Sequence, residues 1–403
     1  MSAVVPLPAP RQRRPAGPIN TRATFRMRFS TMAVVGLRMM FHDKLKMFGT
    51  LAGVIFATVL SNQQAGTFLG LIYKNVMFVE NAGADVWIVP ANTETIQAGK
   101  LVSDSNLMAA KVTPGVAEAA PILFGNAVMS LPGGGSQPVT LVGAKAPWVL
   151  GGPWNIVQGE RELLGRPDTM FFEDSDREYL GNLNLRSVRE LNGHNVVAGG
   201  FTWGLLPFGP SYAFADFDLA RSLLRVDNDQ LHFVLVKVAP GADPKDVRSR
   251  LQAALTDVKV MTRAEYKSSI VRYVLTKTPI GITFGTSTLF GLVVGLVIVS
   301  LSMFSAVVDN VREFGTLKAI GATNTDLAKL LFVQSVTYAV MGTLVGLFLV
   351  TRLAEGIRSA KLALQLIPEL FIGTSVLMIG LCVFASTLAL LRLRKVEPAM
   401  VFR

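Results

Sequence analysis

Residues 289–308 read LFGLVVGLVIVSLSMFSAVV, twenty positions whose only polar side chains are serines. They lie inside a run of 31 residues between Lys277 and Asp309 that has no Asp, Glu, Lys or Arg. A helix needs roughly 20 apolar residues to cross about 30 Å of hydrocarbon. Working outward, three more charge-free runs have spanning length: 27 residues between Lys46 and Lys74, 22 between Lys329 and Arg352, and 22 between Glu369 and Arg392. In lipid the backbone must bond to itself, so only helices and closed barrels span. These runs are too long and continuous for barrel strands, and four membrane helices are expected. Ser61, Asn62, Gln63 and Gln64 interrupt the first run near its far end. The favoured reading is that the span stops there and the helix continues into water. The alternative is a polar surface facing another helix or a cavity.

Composition agrees. The 403 residues are 50% hydrophobic and 17% charged, with a mean hydropathy of +0.43; soluble chains carry about a quarter charged residues. A single cysteine excludes a disulfide framework and a Cys-built zinc site, and Cys382, within the fourth run, reads as a packing residue. The net charge of +11 is concentrated at the two ends. Residues 1–46 carry nine Lys and Arg against Asp43, and the tail carries Arg392, Arg394, Lys395 and Arg403 against Glu397. Between Lys74 and Lys277, 20 basic residues face 21 acidic ones. Basic residues beside spans mark cytoplasmic faces, so both termini are placed in the cytoplasm, and no nucleic-acid partner is inferred. The Pro-rich start, residues 1–20, reads as a disordered tail. Phe25, Phe29, Met32, Gly36 and Met39, with Arg22, Arg26 and Arg28 among them, give a basic amphipathic helix on the inner leaflet. With the first span it forms a segment covering 21–73.

The 74–277 segment is too long for a connector and reads as an α+β extracytoplasmic domain of two lobes. ADVWIVP (84–90) is a strand; Pro121–Met129 and QPVTLVGA (137–144) form a hairpin across the turn at Pro132–Ser136. TMFFEDSDREYLG (169–181) reads as strand to helix, with Ser175 and Glu178 as a capping box. Its acids lack the spacing of a calcium loop. LHFVLVKV (231–238), a helix capped by Asp243-Pro244 and the strand DVKVM (257–261) read as a βαβ unit. Thr262 and Glu265 then cap a helix leading to the second span. Phe201, Trp203, Leu205, Leu206, Pro207 and Phe208 form an apolar cluster, either core or an exposed patch for a partner or lipid-like ligand.

No catalytic constellation is found. His42, His194 and His232 are far apart in sequence, and the chain has neither a Gly-x-Ser-x-Gly elbow nor a Gly-x-x-x-x-Gly-Lys-Ser/Thr loop. Three small-residue pairs fall in the spans, Gly281/Gly285, Gly291/Gly295 and Gly342/Gly346, and favour tight helix packing or dimerisation. The linker between the second and third spans, VVDNVREFGTLKAIGATNTDLAKLL (307–331), mixes Arg312, Glu313, Lys318, Asp326 and Lys329 with an apolar series Phe314, Leu317 and Ile320. It reads as a short amphipathic helix ended by Gly321, with Thr323 and Asp326 capping the third span. Such a helix wedged between two spans is either a mechanical handle or an ordinary interfacial turn.

REFGTLKAIGAT (312–323) resembles the intracellular-loop motif of FtsX-like/MacB-type ABC transporter permeases. RLRKVEPAMVFR (392–403) resembles their C-terminal ending, and GLRMMFHDKLKMFGTLAGV (36–54) their lead-in to the first span. A large outer domain followed by three clustered spans, with 278–403 as the permease domain, resembles the whole family layout. ADVWIVP and DSDREYLG point toward DevC-type exporters. Importer permeases end a comparable loop in Leu-Pro, where this chain has KLLFVQSV (329–336).

The resemblance implies a multi-pass protein of the bacterial inner membrane, without catalytic residues of its own, that dimerises with a second copy. It also implies an ABC ATPase dimer in trans, which binds ATP and Mg and docks on a coupling helix built from Arg312, Glu313, Phe314, Gly315, Thr316, Leu317, Lys318, Ala319, Ile320 and Gly321. ATP-driven motion would reach the outer domain and move a hydrophobic or lipid-like substrate. DevC-like members imply a periplasmic adaptor and an outer-membrane channel as further partners. FtsX-like members imply the rival role, control of an extracytoplasmic cell-wall hydrolase. A membrane sensor without an ATPase is the third reading.

Overall fold

The computed structural model describes residues 29–96, 100–204, 210–357 and 364–393. The Pro-rich tail, Arg22 to Arg28, Leu205 to Phe208 and the ending from residue 394 onward lie outside them. In chain order the elements are α1 (Phe29–His42), α2 (Lys44–Asn81), β1 (Val86–Pro90), β2 (Val102–Ser103), α3 (Ser105–Val112), β3 (Val116–Ser130), β4 (Ser136–Ala144), β5 (Ile156–Gln158), β6 (Thr169–Glu173), β7 (Val188–Leu191), β8 (His194–Thr202), β9 (Ser211–Asp216), α4 (Phe217–Leu224), β10 (Gln230–Leu231), β11 (Phe233–Val238), α5 (Pro244–Ala254), β12 (Val258–Thr262), α6 (Arg263–Lys277), α7 (Pro279–Asp309), α8 (Val311–Ala319), α9 (Asn324–Ile357) and α10 (Pro368–Leu393).

Among the described residues four helices, α2, α7, α9 and α10, are long and apolar enough to cross a membrane. At 1.5 Å per residue the 38 residues of α2 reach about 57 Å, well beyond the hydrocarbon thickness. The excess is not solvated helix: Val76, Met77, Phe78 and Val79 are buried in the core of the α+β domain, against Trp87, Phe124 and Tyr266. The chain divides into two compact units, residues 53–298 with 341–378, and residues 1–52 with 299–340 and 379–403.

The domain is organised by β3. Its fifteen residues extend about 50 Å, enough to serve two strand groups. Val116–Ile122 pairs antiparallel with β11, and Ile122–Ser130 pairs antiparallel with β4. The strand order is β12-β1-β11-β3-β4-β9-β6-β8-β5, while β7 pairs with both β8 and β3. That last pairing closes β3, β4, β9, β6, β8 and β7 into a ring of strands, which removes their open edges. The other group is β12, β1 and β11 with α5 and α6. It is not a simple βαβ unit: β1 lies between β11 and β12, antiparallel to both. The chain's first strand in the domain thus completes a unit begun 147 residues later. Asp85, just before β1, holds this junction by accepting from Arg263 at 2.9 Å, Lys237 at 3.0 Å and the Val238 amide at 3.2 Å.

Two local expectations hold and one fails. Asp243 accepts from the Lys245 amide, with Pro244 opening α5. Thr262 and Glu265 form both bonds of a capping box on α6. Residues 174–176 form only a 3-10 turn, without a side-chain cap. Ser175 donates instead to Glu173 at 3.4 Å, so the Ser175–Glu178 box is absent. Glu173 is buried, and its carboxylate accepts the Ser175 hydroxyl.

Candidate functional site: the α8 segment and the glycine seams

The unit containing α8 is built from both ends of the chain. α8 leaves α7 at Asn310 and closes at Ile320. Gly321 follows with φ of +108°, a conformation favouring glycine. The Gly321 amide donates to the Lys318 carbonyl and the Ala322 amide to the Leu317 carbonyl, satisfying two orphan carbonyls in a Schellman motif. Two residues on, the Asp326 amide donates to Thr323 Oγ1 at 3.2 Å, and the Thr323 amide and hydroxyl donate to Asp326 Oδ2 at 3.2 and 2.7 Å. Lys329 pairs with Asp326 at 3.0 Å. The turn from α8 into α9 is therefore specified on both sides.

Phe314 is the anchor. It is 1% exposed and packs with Met32, Ala322, Leu327, Leu330, Leu331 and Leu390. Gly315 is also buried, and Leu317 and Lys318 are half-buried. Arg312, Glu313, Thr316, Ala319 and Ile320 are exposed, Ile320 at 71%. The apolar series of Phe314, Leu317 and Ile320 is thus not one face. A step of three residues falls about 60° short of a helical turn, so Ile320 sits about 120° round from Phe314. α8 combines a buried aromatic anchor with an exposed face of one acid, one base and one large aliphatic.

α1 supports the same cluster. Met32, Gly36 and Met40 are buried, with Val35 and Met39 packed beside Phe314's neighbours. A Cβ on Gly36 would stand 3.2 Å from the Leu330 side chain, and Gln334 Nε2 donates to the Gly36 carbonyl at 2.9 Å. Besides being amphipathic, α1 is seated on α9. Its outward residues Val34, Arg38, Phe41 and His42 are exposed.

In the other unit the glycine pairs have separate roles. Cβ atoms on Gly342 and Gly346 would come within 2.5 Å of Val54 and 2.7 Å of Thr58, so this pair seats α9 on α2. Gly295 approaches Ala57 and Gly291 approaches Gln64, which seats α7 on the same helix. Gly285 meets nothing within 4 Å. Gly281 lies at the bend after α6, where a Cβ would stand 1.8 Å from the Val274 carbonyl oxygen. Asn62 overturns the favoured reading of the polar interruption. It is fully buried, donates to the Thr58 carbonyl at 2.8 Å and accepts from Thr374 at 3.2 Å, linking α2 to α10. Ser61 is buried beside it in sequence, while Gln63 is exposed. No periodicity singled out Asn62 over its neighbours; the only signal was a polar residue inside a charge-free run.

Four membrane-length helices, an α+β domain inserted after the first, and a short two-faced helix between the second and third define a polytopic membrane protein. Residues 285–398 match the family model of the FtsX-like permease C-terminal domain. That part of the chain is an FtsX-like permease domain. The chain is 29% identical over 136 residues to a protein of Methanocaldococcus jannaschii described as an uncharacterized ABC transporter permease. The match spans 32% of this chain and 33% of that relative. Among solved structures, the periplasmic region of MacB from Actinobacillus actinomycetemcomitans is similar at 11% identity and a TM-score of 0.37, over 52% of this chain and 99% of that one. The extracellular domain of the noncanonic ABC-type transporter YknZ from Gram-positive bacteria is similar at 12% identity and a TM-score of 0.34, over 44% and 98%. At those scores the likeness is coarse, and the fold rests on the strand order given above.

Proposed function

We propose that this chain is the permease subunit of an ATP-driven ABC exporter of the FtsX/MacB type. The observation that carries the reading is α8: anchored by Phe314, tied directly to α7 and α9, and presenting Arg312, Glu313, Thr316, Ala319 and Ile320 outward. A force applied to that face is delivered to two membrane helices at once. In chain order one crossing-length helix, α7, separates α8 from the α+β domain, as a lever acting through a membrane requires. The partner that fits is an ABC ATPase dimer, which binds ATP and Mg and docks on α8, one copy of this chain per ATPase subunit. In this reading the basic ends face the cytoplasm, and α8 and both termini would lie on the cytoplasmic side of an inner membrane. The domain would then move a hydrophobic or lipid-like substrate outside, with an adaptor and an outer-membrane channel completing a DevC-like assembly. Of the apolar cluster's two described residues, Phe201 is buried in the core and Trp203, just past the end of β8, is half-exposed; Trp203 is the one that supports this substrate class.

The test is affinity purification of the full-length chain from its native membrane. An ABC ATPase subunit should accompany it, and its hydrolysis should depend on α8. Recovery of the intact chain without any ATP-binding subunit, or protease accessibility of 307–331 from the exterior, would overturn the reading.

A further inference from the structure

Three charged side chains are buried in the α+β domain near the outer end of α2. Lys74 is only 8% exposed, Glu173 1% and Asp176 5%. The Lys74 ammonium lies 4.9 Å from the centre of the Tyr212 ring on β9, and the charges of Asp176 and Glu173 both act on it. Glu173 is further tied to the end of β8: Thr202 Oγ1 donates to it at 2.9 Å and the Gly204 amide at 3.0 Å. A lysine on a helix that continues from a membrane span thus reaches β6, the 174–176 turn, β8 and β9 through one buried cluster.

Burying such charges gives little net stability over an apolar cluster of the same volume, because desolvation offsets the attraction. What a buried ion cluster supplies is register: any slip of α2 against the strands strands a charge without its partner. We propose that Lys74, Glu173 and Asp176 form a positioning lock that makes α2 and the β6–β8–β9 strands move as one body. Resting on the permease reading, it is the point where displacement of the first membrane helix enters the ring of strands.

The test is hydrogen exchange by mass spectrometry on the full-length chain in detergent. It compares the wild type with Lys74→Met alone and with the neutral trio Lys74→Met, Glu173→Gln, Asp176→Asn. The trio should melt within a few degrees of wild type, yet exchange about tenfold faster in 169–181 and in the outer turns of α2, with α5 unchanged as internal reference. Lys74→Met alone, which removes the ammonium while both buried carboxylates stay, should also melt earlier. Wild-type protection of 169–181 in the trio would overturn the lock. If the trio does not fold, Asp176→Asn is read instead: faster exchange of the outer turns of α2 supports the lock, and unchanged exchange refutes it. Failure to recover an ATPase would leave this result standing, so the two readings fail separately.

Discussion

Substituting Phe314 and Ile320 separately divides the stability of α8 from its docking. They are six residues apart on one short segment, one 1% and the other 71% exposed. Phe314→Ala removes a ring from a cluster of six buried neighbours, and a Phe→Ala change in a packed core costs about 3–5 kcal/mol. It should unseat α8 from α1, α9 and α10 and lower the yield of folded protein. Ile320→Ala removes side chain that faces solvent, so stability should stay within about 0.5 kcal/mol. If a partner covers that face, the same change removes the burial of most of an isoleucine, about 1–2 kcal/mol, which is about 5- to 30-fold in the dissociation constant. The assay pairs a thermal melt of the purified chain with titration of the co-purifying ATPase subunit. The expected pattern is an unchanged melt with weakened docking for Ile320→Ala, and a lowered melt for Phe314→Ala. Wild-type docking by Ile320→Ala, together with Arg312→Ala and Glu313→Ala, would refute the assignment of the outward face. Glu313→Ala combined with Phe314→Ala would confuse the two effects, since Phe314 points inward.

The glycines give a graded set. Gly346→Val should disrupt the α2–α9 seam, because a Cβ would already stand 2.7 Å from Thr58, whereas Gly285→Ala meets nothing within 4 Å and should be neutral in the same melt. Gly321→Ala has open space but a φ of +108°; strain of about 1–2 kcal/mol should lower the melt without changing helix content by circular dichroism. His232 gives a pH dependence. Burial pushes its imidazole down to about 4. The unfolded chain therefore binds a proton that the folded one refuses, and this contribution to stability is complete above about pH 6.5 and lost as pH falls toward 4. Denaturant titrations at pH 7 and 5 should show a smaller acid-side loss for His232→Leu; an equal loss would put the acid sensitivity elsewhere.

The spans, the caps at Asp243 and Thr262, the hairpin of β3 with β4 and the turn at Gly321 were all legible in the sequence. Each is written within a few residues: a charge-free run, a side-chain oxygen two or three positions before its amide, an alternation, a glycine after the last helical turn. Tertiary structure decided the rest. β1 divides β11 from β12 because strand pairing is chosen among segments far apart in the chain. At 174–176 a 3-10 turn forms in place of the capped helix, beside a buried Glu173 that accepts from Ser175 and from the end of β8. Asn62 faces inward, with its amide oxygen 3.2 Å from the hydroxyl of Thr374, more than three hundred positions away. Helix geometry alone puts Phe314 and Ile320 about 120° apart, but which of them is buried depends on where Met32 and Leu390 arrive from opposite ends of the chain. Local hydrogen bonding and periodicity are properties of a short segment, whereas burial belongs to whatever the rest of the chain places against it.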